Sequence, residues 1–380
     1  MIEMKNLVHK ITKACLVILV CVMATGCVFS KMDKKSGLQR VLIQVNVSAD
    51  EMTRSVAAVS ATQEAEINTL RIYAYYNGQL SGHYWRGTAS QEPIIMDLLL
   101  PYNGVHNVDF YVIANEDAMV AAQGSPDLTE NATPDQLKAV CMSGIDTPSE
   151  NGLPLYYNGT VAVNVDNLNT QTSIEGHQEH YRLVQQLNAK LERPVAKLAV
   201  YLAESEQGSN VYQTQSPKLT VTSVEVMNSS AEGYLFDTND ATGETAEDFV
   251  SGQDIVIASV IGEQNGQAIE NSDNYTQILS PFYFFENSNG GDSWSSGYVE
   301  QQTDLSQIAQ GAMLVKIGYS FDNGATSSYA YVKMPQIEKN VFYKVMCRFS
   351  PVGGHQEILI SINQWNYITH TYDEITVKSK

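Results

Sequence analysis

The chain has 380 residues, 43 % of them hydrophobic, with 23 basic against 42 acidic side chains and a formal net charge of −19. That length points to two domains of about 100–200 residues each, with apolar material for two cores. So acidic a surface repels phosphate backbones and anionic lipid, which excludes nucleic-acid binding and leaves acyl attachment as the membrane contact.

The first element is an apolar run from Ala14 that stops at Cys27, preceded by Lys5, Lys10 and Lys13 and followed by a polar stretch from Ser30 to Arg40. This is the layout of a bacterial export signal, and the run is shorter than the ~20 residues a spanning helix needs. Small Ala24 and Gly26 ahead of Cys27 resemble the lipobox of bacterial lipoproteins, with Ala24 where Leu is usual. On that likeness residues 1–26 are a signal peptide and Cys27 is the lipidation residue. Without them 20 basic residues face 41 acidic ones. Cys15 and Cys21 leave with the signal, so Cys141 and Cys347 remain for the fold. Their spacing makes neither a disulfide framework nor a metal site. Two small buried hydrophobes is the favoured reading, and one disulfide is the alternative in an oxidising compartment.

Strand signals follow. Val41, Ile43, Val45 and Val47 alternate with Leu42, Gln44, Asn46 and Ser48, giving one apolar face, and a polar loop carrying Arg54 and Ser55 comes next. Leu70 to Tyr76 runs into Asn77-Gly78, a type I′ hairpin signal, with a return strand holding His83, Tyr84 and Trp85. Val108–Ala114 is another half-buried strand. Later candidates are Ala196–Leu202, Leu219–Met227, Asp254–Val260, Ile278–Phe285, Ala312–Phe321, Ser328–Met334, Val341–Phe349 and Glu357–Ile362, with Asp322-Asn323-Gly324 as a further hairpin turn. Helix is scarce: Thr133-Pro134-Asp135-Gln136 forms a capping box, with a helix expected over about 134–142. The sequence shows no internal repeat. Many short strands between turn signals point to β-sandwiches, and Pro194 marks the expected boundary between two domains.

Several segments together resemble the fimbrillin family, the subunits of the Bacteroidetes type V pilus. They are the lipobox, the alternating strand with its Arg54 loop, Ile67 to Tyr73, and Phe110 to Asn115. Leu191 to Lys197, Phe282 to Asn287, Glu338 to Tyr343 and a closing Trp365 complete the set. The resemblance implies a mainly β fold: two β-sandwich-like (transthyretin-like) domains in series, 55–193 and 194–365, with few short helices. It implies export as an outer-membrane lipoprotein, trimming by an arginine-specific protease, and polymerisation by strand exchange at the cell surface. Carried onto this chain, 27–54 is the propeptide, its strand the one bearing Val41, Ile43, Val45 and Val47. Residues 366–380 become the donor tail, and the partners are other copies and related pilin subunits.

Physical reasoning on the residues agrees with that scheme. Burying the four inward valine and isoleucine side chains contributes on the order of 6–10 kcal/mol, so a chain lacking them exposes an apolar groove with unpaired backbone edges. Cutting at Arg40 would leave the strand attached; cutting between Arg54 and Ser55 disconnects it, from a polar stretch suited to a protease. After Trp365, Ile368, His370 and Tyr372 share one parity while Ile375 and Val377 share the other, so a bulge near Asp373-Glu374 is needed to keep one face apolar. Tip members of the family lack such an extension, which favours a stalk subunit; a tip subunit, or a non-polymerising surface lipoprotein that binds glycan or protein, is the alternative.

No enzyme chemistry or cofactor site emerges. His177 and His180 could share a helix face but lack a third ligand. The stretch Asp237 to Gly243 begins like a calcium loop, then puts Ala241 at a ligand position and Thr242 where the turn glycine belongs. Catalytic motifs of the Gly-x-Ser-x-Gly, phosphate-loop and His-Glu-x-x-His kinds are absent.

Overall fold

Alternation of apolar and polar residues drives most of the chain into antiparallel strands, and the outcome is a mainly β, sandwich-rich fold. The computed structural model describes residues 37–49, 64–87, 94–145, 152–166, 183–204, 220–236, 259–260, 276–290, 311–320, 328–349, 356–364 and 377–378. Of the expected sites, Cys27, Arg54, Ser55, Ile368, Tyr372 and Ile375 lie outside the described residues, as do His177, His180 and the Asp237 stretch.

In the first half, β1 (Leu38–Ala49) lies between β4 (Ile94–Pro101) and β9 (Leu183–Leu191). The facing sheet has the order β3 (Gln79–Arg86), β2 (Leu70–Tyr76), β5 (Val105–Ala114), β8 (Leu155–Asn164). One apolar cluster fills the space between, with Ile43, Val45, Met96, Leu98, Ile72, Phe110 and Val163 fully shielded. Asn77 and Gly78 both take positive φ, 50° and 74°, as the type I′ turn between β2 and β3 requires.

The second half repeats that topology. Here β10 (Ala196–Glu204) lies between β14 (Thr276–Phe284) and β17 (Val341–Phe349), and β18 (Gln356–Gln364) and β19 (Val377–Lys378) extend the sheet beyond β17. Facing it are β13 (Ser259–Val260), β11 (Thr220–Met227), β15 (Leu314–Ser320) and β16 (Ser328–Lys333). In each half the leading strand pairs antiparallel with one neighbour and parallel with the other. A second cluster, including Leu198, Val200, Val224, Ile317 and Val345, fills this half.

A third sheet spans the halves: β12 (Gly233–Tyr234), β7 (Cys141–Ile145) and β6 (Met119–Ala121). Beneath it, Tyr75, Tyr111, Leu137 and Tyr156 of the first half pack with Val195, Leu235, Phe236 and Phe285 of the second. The expected helix is present as α1 (Pro134–Lys138), with its Thr133/Gln136 capping box, but ends four residues early. Past it the Val140 carbonyl accepts from the Leu235 amide, and Cys141 already lies in β7, so tertiary pairing overrides helix propensity. Cys141 and Cys347 are free, buried thiols, and burial pushes both thiol pKa values up. Among the described residues no helix is long and apolar enough to cross a membrane.

Candidate functional site at the place of the first strand

The expected inward residues of β1 are where alternation puts them. Val41, Ile43 and Val45 are at most 1 % exposed, and Val47 packs against the same cluster at its rim. They lie among Met96, Leu98 and Leu100 of β4 and Leu187, Ala189 and Leu191 of β9. Leu42, on the opposite parity, is buried too, at 1 %. Beyond Leu42 that face is polar. Gln44 donates to Asn46 at 2.8 Å, Asn46 to Asn188 at 2.8 Å, and Gln186 to Gln44 at 3.4 Å, a ladder of side-chain amides linking β1 to β9.

What makes β1 unusual is its two borders. Against β4 it pairs antiparallel from Leu38↔Pro101 to Val45↔Ile94. Against β9 it pairs parallel from Leu42↔Leu183 to Ala49↔Leu191, with a register shift after Leu42. The strands β4 and β9 are not hydrogen-bonded to each other; in this sheet β1 joins them. Without it two backbone edges would face one another across about two interstrand spacings, roughly 10 Å, over an apolar floor. At the β4 border Arg40 Nη1 lies 3.8 Å from Asp97 Oδ2, and the Gln39 amide donates to the carbonyl oxygens of Pro101 and Tyr102 at 3.3 and 2.9 Å.

The chain downstream of β1 is anchored independently of it. Glu64, fully buried, accepts from Lys197 Nζ and from the Tyr283 hydroxyl, each at 2.6 Å. Burial first, and then the Glu64 carboxylate, push the Tyr283 hydroxyl pKa up. Asn115, in the left-handed conformation at φ 57°, accepts from the Asn68 amide at 2.8 Å and donates to Glu66 O and Leu153 O at 2.7 Å. A side chain on Gly152 would start 2.7 Å from that Asn115 nitrogen. Thus the chain at Glu64, Glu66 and Asn68 is fastened to the body by groups outside β1.

Of the expected donor residues only Val377 is described. It opposes Ile358 in β19, antiparallel to β18 at the end of the second sheet. Sequence patterning missed both borders of the site, β4 and β9. The run Ile94 to Leu100 has no polar alternation, and Leu183 to Leu191 is rich in helix formers (Gln185, Gln186, Ala189, Lys190). The one available signal was the demand of β1 itself, which needs a partner on each side. Among the described residues no group of three or more His, Cys, Asp or Glu could hold a metal ion.

No protein-family model matches the chain, and a search of curated proteins finds no match. Solved structures of fimbrial and cell adhesion proteins from Bacteroidetes are its structural neighbours. A candidate cell adhesion protein of Parabacteroides distasonis is 13 % identical with a TM-score of 0.50, covering 87 % of this chain and 100 % of its own. A fimbrilin of Porphyromonas gingivalis is 10 % identical, TM-score 0.48, covering 86 % and 97 %. A C-terminally truncated tip fimbrial protein of the same organism is 13 % identical, TM-score 0.45, covering 86 % and 100 %. The likeness is one of fold.

Proposed function

We propose that this chain is a structural subunit of a surface fimbrium, with a stalk position favoured by its tail. Exported as a lipoprotein acylated at Cys27, it reaches the outer membrane, is cut between Arg54 and Ser55 by an arginine-specific protease, and loses β1. The tail of a second copy or a related subunit, residues 366–380, then occupies the vacated place with Ile368, Tyr372, Ile375 and Val377 toward the core. In this reading 55–193 and 194–365 are the two β domains of the mature subunit, and its work is support of adhesion rather than catalysis.

The observation that carries the proposal is the seat of β1: central in its sheet, inward-facing by Val41, Ile43 and Val45, yet followed by a chain fastened independently from Glu64 onward. Loss of such a strand would open a groove between β4 and β9 and leave the anchors at Glu64 and Asn115 in place. An N-terminal mass measurement on filaments sheared from cells tests it, with Ser55 expected at the start. A mature chain beginning at acylated Cys27 would instead favour an anchored, non-polymerising lipoprotein. Arg54→Ala is expected to leave monomers and no filaments, and Cys27→Ala to abolish surface exposure.

A further inference from the structure

We infer that Asp97 acts as the register- and partner-reading residue of the β1 site, selecting incoming strands that bring a cation to its side of the sheet. This rests on the strand-insertion reading above and deepens it.

Asp97 sits mid-way along β4, between Met96 and Leu98, both of which face the core. Its own side chain is therefore on the other face, opposite Leu42 in the pairing, and is only 5 % exposed. One carboxylate oxygen is 3.8 Å from Arg40 Nη1. The other is buried with no hydrogen-bond partner among the described residues. Arg40 opposes Leu99, two positions along from Asp97, so the contact is the diagonal cross-strand kind that long side chains make. A carboxylate shielded to this degree is costly to keep charged without a cation. Arg40 supplies that cation and leaves with β1 when the chain is cut after Arg54.

A replacing strand buries Asp97 again and must answer its charge. In an extended inserted strand neighbouring side chains alternate between the two faces. With Ile375 and Val377 toward the core, Glu374, Thr376, Lys378 and Lys380 take the Asp97 side. Lys378 and Lys380 are the only Lys or Arg residues after Trp365. Glu374 shares their parity, so a slip that brings it to Asp97 sets two carboxylates together. Attraction at the lysines and repulsion at Glu374 together fix which register is occupied, which is how specificity is built from both signs of interaction.

The test compares trimmed chains, 55–380, by light scattering and electron microscopy of filaments. Reversing both tail charges (Lys378→Glu with Lys380→Glu) should slow assembly about tenfold, and adding Asp97→Lys should restore it to within about threefold. As a second readout independent of variant folding, synthetic 366–380 peptides compete for unmodified subunits. The native peptide should inhibit assembly at about tenfold lower concentration than the Glu-substituted one. Equal inhibition by the two peptides, or failure of Asp97→Lys to rescue a folded double variant, would overturn the role of Asp97. A chain ending at Trp365 separates the two levels. If it builds filaments the strand-insertion reading has failed; if it is inert while charge reversal is harmless, only the Asp97 inference has.

Discussion

Strands β1 and β10 occupy one position in two copies of the same topology, each flanked by an antiparallel and a parallel neighbour, yet they are built differently. In β10 both faces are shielded: Ala196, Leu198, Val200 and Leu202 toward the core, and Lys197, Ala199 and Tyr201 on the reverse. Its sequence is a near-continuous apolar run, as a doubly covered strand requires. Four residues separate β10 from β9, and the β17–β18 pair continues its sheet. In β1 the reverse face carries half-buried Gln44 and Asn46 and exposed Ser48, and 14 residues, 50–63, separate Ala49 from Glu64 where only four separate β9 from β10. A strand can thus be central in hydrogen bonding and still be peripheral in connectivity, and it is connectivity that decides which of the two could be exchanged.

The sharpest way to break that comparison is to place a charge in each strand. Leu198→Asp buries a carboxylate at a fully shielded site in β10 and should cost more than about 4 kcal/mol, unfolding the second half in both the 27–380 precursor and the trimmed chain. Ile43→Asp should expel β1 from the precursor and otherwise leave it resembling the trimmed chain in urea melts followed by circular dichroism. If Ile43→Asp instead unfolds the precursor completely, β1 is as integral as β10 and cannot be the exchanged element.

Next in size is the anchor that, in the proposed scheme, would hold the chain once β1 is gone. Glu64→Ala deprives the buried Lys197 ammonium of its carboxylate, an ammonium that also lies 5.0 Å from the Phe342 ring centroid. Breaking a buried pair on one side typically costs about 3–5 kcal/mol. The loss should be equal in precursor and trimmed chain, because neither partner belongs to β1. A loss confined to the precursor would tie Glu64 to β1 after all.

How much of this was legible before the structure depends on where the information sits. The inward set of β1 follows from period-two alternation alone, and the type I′ turn from Asn77-Gly78, because both are local. The landmark segments Leu191 to Lys197, Phe282 to Asn287 and Glu338 to Tyr343 turn out to meet at the seam between the halves. Arg193 donates to Asn340, Asn340 N to Val195 O, and Lys339 pairs with Glu286 at 3.4 Å while lying over the Tyr156 ring. Their polar residues in apolar company were visible; that they converge was not. Nor could the sequence show the repeated topology. Strand order is conserved between the halves while the residues serve different demands, Gln44 and Asn46 facing outward in one where Ala199 and Tyr201 are covered in the other. The parallel partner β9 and the charge pair at Asp97 depend on residues far apart in the chain, so no local pattern announces them.

A smaller effect should be blind to β1 altogether. His83, on β3 in the opposite sheet, is held at a pKa of about 4, chiefly by burial and then by Arg71, whose guanidinium is forked onto Glu116 at 2.7 Å on both arms. In the unfolded chain the imidazole titrates near 6.5. The neutral ring therefore stabilises the fold above pH about 6.5, and that contribution is lost as pH falls from there toward about 4. Melting temperature should drop by a few degrees across this window, to the same extent in precursor and trimmed chain, and His83→Gln should flatten the drop in both. A drop that appears in only one form would mean that β1 reaches the facing sheet electrostatically.

The smallest expected effect bears most directly on whether β1 can be replaced at low cost. Asn46 sits at the middle of the amide ladder between Gln44 and Asn188, on the polar face. Hydrogen bonds on such a half-exposed polar face exchange with water, so Asn46→Ala should change precursor stability by no more than about 0.5 kcal/mol in a denaturant titration. The prediction matters because the proposed replacement cannot rebuild the ladder. On its outward parity the tail offers Glu374, Thr376, Lys378 and Lys380, and no amide side chain. If Asn46→Ala costs little, the ladder is a solvated trim, and an inserted strand needs only the apolar floor, the two backbone borders and a cation for Asp97. A loss above about 1.5 kcal/mol would make the amides part of what holds β1 in place, and a tail without them would then be a poor substitute.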